Sequence, residues 1–144
     1  MIKPTVTTMD QLTKIGFTDD LAIRTLSYLD ALNVCDANGA GKKHGGRYAH
    51  FSVDAGARRN SKYVRVVMDT DPDTVYGKSV HAFIVTATGQ IVKPAGWAGP
   101  AKGTGKNNKG ELLSKYTLTD DDSLAKLLLT LTDTGSIFGG YLYQ

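Results

Sequence analysis

The chain has 144 residues, of which 41% are hydrophobic and 22% charged, and it carries a formal net charge of +3. This length and composition predict a single globular domain over residues 1–144, and the lone cysteine, Cys35, excludes an intrachain disulfide, as is typical of proteins from a reducing compartment. No apolar run approaches the ~20 residues of a membrane span and the N-terminus lacks a signal-peptide core, so we expect a soluble intracellular protein without membrane contact.

Two helices are predicted at the start of the chain. Thr8 and Gln11 have the spacing of a capping box, and Gly16 suits the left-handed residue that follows a helix, so a short helix is expected between them. Thr18 and the two aspartates after it open a second helix, since acidic side chains are favourable near a helix N-terminus. This helix is expected to end within residues 36–39, ahead of a loop rich in Gly and Lys.

The middle of the chain predicts four strands, at residues 48–54, 62–69, 79–85 and 90–93. In the third, Val80, Ala82 and Ile84 alternate with the residues of the opposite face, which is the period of two of a strand. Gly89 ends the short loop to the fourth strand, where a positive φ is usually needed, and Pro94 ends the pairing because it has no amide hydrogen. The sheet face away from the helices is expected to carry Tyr63, Arg65, His81, Phe83 and Lys93.

A basic Gly/Pro loop from residue 95 to about residue 110 precedes the last predicted helix, which begins at residues 120–122 and ends at Gly135. The buried stripe of that helix is expected to consist of Leu124, Leu127, Leu128 and Leu131. An apolar tail, residues 137–143, is a candidate contact between subunits. This order predicts an α+β fold, an antiparallel meander of about four strands with the N-terminal helices and one C-terminal helix packed on one face.

Basic charge is concentrated in the β-rich middle of the chain. Residues 42–115 have a balance of +8, whereas residues 1–41 have −2 and residues 116–144 have −3. Lys and Arg neutralise phosphates and exposed aromatic rings stack on bases, so this interleaving of cations and aromatics predicts a polyanion site. Its expected residues are Arg58, Arg59, Lys62, Arg65, Lys93, Trp97, Lys102 and Lys106.

The sequence patterns of metal and calcium sites are incomplete. None of the three histidines has a partner at ligand spacing. Asp69, Asp71 and Asp73 open like a calcium loop, but Thr74 and Val80 stand where that loop requires Gly and Glu. We therefore expect no bound metal, and a solvated turn between strands at these aspartates.

Nucleotide-binding and nucleophile motifs are incomplete as well. The pair Gly105-Lys106 has Pro100 and Asn107 where a Walker loop requires Gly and Ser or Thr, which leaves only a looser nest of loop amides for an anion. The chain has no G-x-S-x-G sequence and no cysteine beside a local base motif. We expect no cofactor, no catalytic residues and no enzymatic activity.

Trp97, the only tryptophan, has two interpretations. It could stack on a ligand, because the neighbouring Gly96 and Ala98 leave its indole uncrowded. Alternatively it folds back onto the sheet as part of the core, and we favour this second interpretation because a lone Trp in a small domain is usually mostly buried.

About a third of the chain resembles small uncharacterised proteins of tailed bacteriophages. Those proteins share a KYxRIV-like strand, an SVHxFI strand, a glycine turn and then KPAxW and PAKG. The matching positions here are Lys62 to Val67, Ser79 to Ile84, Gly89, Lys93 to Trp97 and Pro100 to Gly103. The resemblance implies a phage origin and a location in the host cytoplasm or in the virion.

The sequence therefore predicts a non-enzymatic, phage-type module that binds a polyanion through its basic middle, with nucleic acid as the favoured ligand. The alternative is a virion structural or capsid decoration protein whose partner is another phage protein. A small enzyme or nucleotide binder at the Gly/Lys loops is the least favoured of the three.

Overall fold

The computed structural model describes residues 7–38, 49–54, 59, 61–70, 77–107 and 109–134. Within these residues the helices are α1 (Met9–Ile15), α2 (Asp19–Asn38) and α3 (Asp121–Thr134). The strands are β1 (His50–Val53), β2 (Tyr63–Asp69), β3 (Lys78–Val85), β4 (Gln90–Val92), β5 (Pro94–Gly96), β6 (Gly99–Pro100) and β7 (Ser114–Thr117).

Five of the strands form one antiparallel sheet in the order β1-β2-β3-β4-β7, and β5 pairs with β6 in a separate two-stranded ribbon. The predicted α+β meander is confirmed, with one strand more than expected. The additional strand is β7, whose four residues, SKYT, show too short an alternation to predict a strand. The ribbon likewise lies in a segment whose composition predicts a loop.

Local sequence sets the helix ends as predicted. The Thr8 hydroxyl accepts from the Gln11 amide at 3.2 Å, and Gly16 has a φ of 112° after α1. Thr18 caps α2 in the same way, since its hydroxyl accepts from the Leu21 amide. These caps satisfy amides that a helix leaves unpaired in its first turn, so both N-termini are fixed without help from the sheet.

All three helices pack on one face of the sheet. The buried residues of this core include Leu12, Leu32, Phe51, Val66, Ile84, Tyr116 and Leu127. Helices α2 and α3 run parallel, because Arg24 bonds Asp121 near their N-termini and the Cys35 thiol lies 3.5 Å from the Leu131 carbonyl further along. The helical layer therefore joins the two ends of the described chain over a common core.

The buried stripe of α3 differs from the prediction at one position. Leu127 and Leu131 are fully buried and Leu124 packs against the core, as expected. Leu128 is only partly buried and is not part of the core. It lies beside the stripe because the helix turns 100° per residue, so two adjacent leucines cannot both point at the sheet.

A bulge in β3 overturns the predicted faces of His81 and Val80. Val66 pairs with Ala82 but Val67 pairs with Val80, so His81 is the extra residue. The extra residue reverses the alternation, and Val80 packs with Phe83 on the face away from the helices. His81 lies on the helical side instead, buried and edge-on to the Phe51 ring at 5.0 Å between centroids.

A second, smaller cluster covers the other face of the sheet. Phe83, Val85 and Val92 are its buried members, and Tyr63, Val80 and Leu112 pack around them. The ribbon β5–β6 lies against β3 on this side. The face that was expected to carry Tyr63 and Phe83 does carry them, and it is itself packed, with Phe83 buried and Tyr63 half-buried.

The edge strand β1 is closed by side chains of the preceding segment. The amides of residues 49, 51 and 53 donate to the side chains of Asp36, Asn33 and Thr7, respectively. A bare edge would present these amides to a strand of another molecule. Here the β1 amides are already paired, which removes this route of association.

Candidate nucleic-acid interface

The two sides of the sheet differ in charge. The three helices together contain eight aspartates but only Lys14, Arg24 and Lys126 as basic residues, a balance of −5. The segment 93–115, which runs along the opposite side, contains five lysines and one glutamate. The segregation of charge along the sequence is therefore a segregation of charge between the two layers of the fold.

The ribbon carries Trp97 across the sheet. It leaves β4 at residue 93, lies against β3, and reaches β2, where the Trp97 carbonyl accepts from Arg65 Nε at 2.6 Å. Gly96 pairs with Gly99, which leaves Trp97 and Ala98 as a two-residue turn at its tip. A Cβ on either glycine would meet nothing within 4 Å, so the tip is open.

Trp97 is exposed, and the expectation of a core residue is wrong. Its relative accessibility is 47%. The centroid of its ring lies 4.8 Å from Arg65 Cζ, a cation–π distance, and the same carbon lies 6.0 Å from the centroid of Phe83. The indole does fold towards the sheet, as the core interpretation required, but it meets a guanidinium there instead of apolar side chains.

Arg65 is a structural cation. Its Nη1 lies 3.1 Å from Asp54 Oδ2 while its Nε bonds the Trp97 carbonyl, and its side chain is 28% exposed. Because a carboxylate and a carbonyl already bind this guanidinium, it supports Trp97, and its role as a phosphate contact stays a prediction. The sequence does not predict this role of Asp54, because only the pairing of β1 with β2 places it beside Arg65.

The remaining predicted cations that the structure describes lie at three places. Arg59 and Lys62 are exposed in the connection between β1 and β2, and the Lys62 ammonium lies 5.4 Å from the Tyr63 ring centroid. Lys93 is partly buried at the base of the ribbon, where its carbonyl accepts from the Ala101 amide. Arg58 lies outside the described residues.

Lys102 and Lys106 belong to residues 102–112, here named the lysine loop. Lys102 forms an isolated β-bridge with Leu112, and Gly103 forms one with Lys109, so the backbone of the loop folds back on itself. The side chains of its lysines are exposed. Leu112 anchors the loop by packing on the cluster around Phe83. Lys109 thereby joins the site as an exposed cation that the predicted set omitted.

Two amides of the lysine loop are paired within the loop itself. The Gly103 amide donates to the Glu111 carbonyl, and the Gly110 amide donates to the Gly103 carbonyl. Amides that are paired within the loop cannot also cradle an anion. These two amides are therefore not available to the looser nest that the sequence leaves open.

Two reactive side chains outside the basic side of the sheet, His81 and Cys35, are buried. His81 is buried, and loss of hydration lowers its pKa to about 4, so it is neutral near pH 7. Burial raises the pKa of the Cys35 thiol, which opposes the thiolate that nucleophilic chemistry needs. No group of three or more His, Cys, Asp or Glu in the described part of the chain could hold a metal ion, and no helix there is long and apolar enough to cross a membrane.

Comparison with known proteins gives one match. A family model described as a family of unknown function, DUF7717, matches residues 20–144. No curated protein and no solved structure matches the chain.

Proposed function

The chain belongs to DUF7717, a family of unknown function, and we propose from its own residues that it binds nucleic acid through the ribbon and lysine-loop side of the sheet. The observation that carries this proposal is the separation of charge between layers. The helical layer has a balance of −5, so a polyanion is repelled from it and attracted to the opposite side.

The form of the basic side also supports a polyanion. Exposed lysines at positions 102, 106 and 109 lie on a loop that is anchored by Leu112, so their ammonium groups are presented on a defined base. Exposed Arg59 and Lys62 add charge at the β1–β2 connection. Each cation that meets a phosphate releases a counterion, which is the main source of non-specific affinity for nucleic acid.

Binding should therefore depend steeply on salt. The test measures fluorescence anisotropy of dye-labelled 20-nucleotide DNA and RNA with the purified protein between about 50 and 200 mM NaCl. We expect binding at the low end and at least a roughly tenfold loss of affinity at the high end. Absence of binding to both nucleic acids at about 50 mM salt would overturn the proposal.

A matched pair of double variants tests which surface of the protein binds nucleic acid. Lys102→Ala/Lys106→Ala removes two charges from the lysine loop, and Lys14→Ala/Lys126→Ala removes two exposed charges from the helical layer. The first variant should reduce the slope of log K against log salt by about one per lysine, while the second should leave it unchanged. Equal effects would mean that overall charge, and not this surface, decides binding.

The resemblance to tailed-phage proteins supports a phage origin, with the protein acting in the host cytoplasm or in the virion. A virion structural role is a second candidate, favoured by the exposed apolar side chains Ile23, Val34 and Leu129 on the helical layer. Mass spectrometry of purified particles separates the two, because a structural protein is present in stoichiometric amounts and a replication-stage binder is absent.

A further inference from the structure

We infer that the exposed face of Trp97 is a stacking platform for an unpaired base, so that the nucleic acid bound here is single-stranded. This inference rests on the proposed function and narrows its ligand. Trp97 lies at the open tip of the ribbon with 47% of its surface accessible, on the side of the sheet opposite the acidic helices. A flat, accessible ring beside cations is the combination that sequence-tolerant single-strand binders use.

The indole is held in place before any ligand arrives. Arg65 Nε bonds the Trp97 carbonyl, and Arg65 Cζ packs against the ring. Asp54 in turn fixes the guanidinium at 3.1 Å. Because the Trp97 ring is already fixed, binding does not lose side-chain entropy at this residue. This preorganisation increases the affinity for a stacked base.

Arg65 also explains why the platform has one usable face. The guanidinium lies 4.8 Å from the ring centroid while 47% of the residue stays accessible, so we infer that Arg65 covers one face of the ring and a ligand can reach the other. A guanidinium against one face of an aromatic ring is a favourable cation–π contact that does not require the other face. The arrangement therefore satisfies Arg65 while keeping the ring available.

The geometry discriminates between single and double strands. In a duplex every base face is covered by its neighbours, and only base edges and phosphates are accessible. An indole on a short turn can meet a base face only where the base is unstacked. We place the backbone of such a strand along the exposed cations Lys62 and Lys102, which lie just before β2 and just after β6.

The lone tryptophan makes the test direct, since fluorescence excited at the red edge of the absorption band, where tyrosine does not absorb, reports on Trp97 alone. The protein is titrated at about 50 mM salt with a 20-nucleotide oligo-dT, with a 20-base-pair duplex and with heparin, a polyanion without bases. We expect oligo-dT to bind at least about tenfold more tightly than the duplex and to quench the fluorescence, and heparin to bind without quenching.

Two variants measure the contribution of the Trp97 ring to binding. Their affinities are determined by anisotropy of dye-labelled ligand. Trp97→Ala removes the platform and should weaken oligo-dT binding by about 5- to 150-fold while leaving heparin binding unchanged. Trp97→Phe keeps a flat ring and should retain most of the affinity. If circular dichroism shows that Trp97→Ala is unfolded, the stacking platform is tested by the oligo-dT affinity of Trp97→Phe relative to wild type and by the fluorescence titrations of wild type.

The outcomes separate this inference from the proposed function. Equal binding of oligo-dT, duplex and heparin, or unchanged oligo-dT affinity in a folded Trp97→Ala, overturns the stacking platform and leaves a polyanion-binding surface. Failure of all three ligands to bind overturns both. Tight oligo-dT binding with quenching and loss in Trp97→Ala supports both.

Discussion

The side-chain amide of Asn33 forms two hydrogen bonds with the main chain of Phe51, accepting from its N–H at 2.9 Å and donating to its carbonyl at 3.2 Å. A side chain on α2 thus occupies the position that a neighbouring strand would take beside β1. Because the carboxamide has the same donor and acceptor as a peptide group, it closes the edge at its centre without adding a strand.

Asn33→Ala should therefore expose the edge of β1. We expect a loss of about 1–3 kcal/mol of stability from two broken, partly buried hydrogen bonds. We also expect concentration-dependent association, since an unpaired edge can take up a strand from another molecule. Chemical denaturation and sedimentation velocity measure the two effects. Asn107→Ala, on the exposed lysine loop, is the control, and a monomeric Asn33→Ala of wild-type stability would contradict the role of this pair.

The buried imidazole of His81 should make stability fall with acid. Its pKa is lowered to about 4 in the folded state, while the unfolded value is about 6.5. Above pH 6.5 both states hold a neutral ring and stability is full. Between pH 6.5 and 4 only the unfolded chain takes up the proton, so the fold loses up to about 3 kcal/mol.

Denaturation of wild type and His81→Leu at pH 7 and pH 4 measures this effect. Protonation of carboxylates contributes in both proteins, so the difference between them isolates the histidine. The stability of His81→Leu should fall by about 3 kcal/mol less than that of wild type. Parallel pH profiles would mean that the ring accepts a proton in the folded state.

Adjacent leucines on α3 should respond differently to truncation. Leu127→Ala removes a fully buried side chain and should cost about 2–5 kcal/mol of stability. Leu128→Ala removes one that is only partly buried and lies outside the core, so a cost below about 1.5 kcal/mol is expected. Urea denaturation of both variants provides its own control, because helix propensity changes equally. A larger cost at Leu128 would show that the helix presents its other face to the sheet.

Thr25 offers a gain of stability. Its hydroxyl is fully buried on α2 and has no hydrogen-bond partner. Burial of an unpaired hydroxyl is unfavourable, so the isosteric change Thr25→Val should add about 1 kcal/mol. Thr132→Val, at an exposed helical position, should leave the melting temperature nearly unchanged. Destabilisation by Thr25→Val would indicate that this hydroxyl has an unseen partner.

The fold was predictable where the pattern is local. Thr8, Gly16 and Gly89 were placed correctly because capping and a positive φ, here 78° at Gly89, depend on a few neighbouring residues. The face of His81 was not predictable, because one extra residue in β3 changes the alternation without changing the composition.

The residue types of the candidate site were predictable from the sequence, but the contacts between its residues were less so. The exposed lysines of the lysine loop follow from its polarity. The use of Arg65 as a support depends on Asp54 and Trp97, which lie 11 and 32 residues away from it along the chain. A contact between strands and a distant turn leaves no periodicity in the sequence, so neither the pairing of Arg65 nor the exposure of Trp97 could be read from it.

Arg24 links the beginning and the end of the helical layer, since it bonds the Leu118 carbonyl and the Asp121 carboxylate, 94 and 97 residues further along the chain. Synthesis proceeds at about 5–20 residues per second, so roughly 5–20 s separate the appearance of these partners. During that interval the apolar side of the nascent sheet lacks α3, whose Leu127 and Leu131 help to cover it. Ribosome-bound chains therefore pass through a period in which chaperone binding or aggregation competes with folding, and the arrival of α3 ends it.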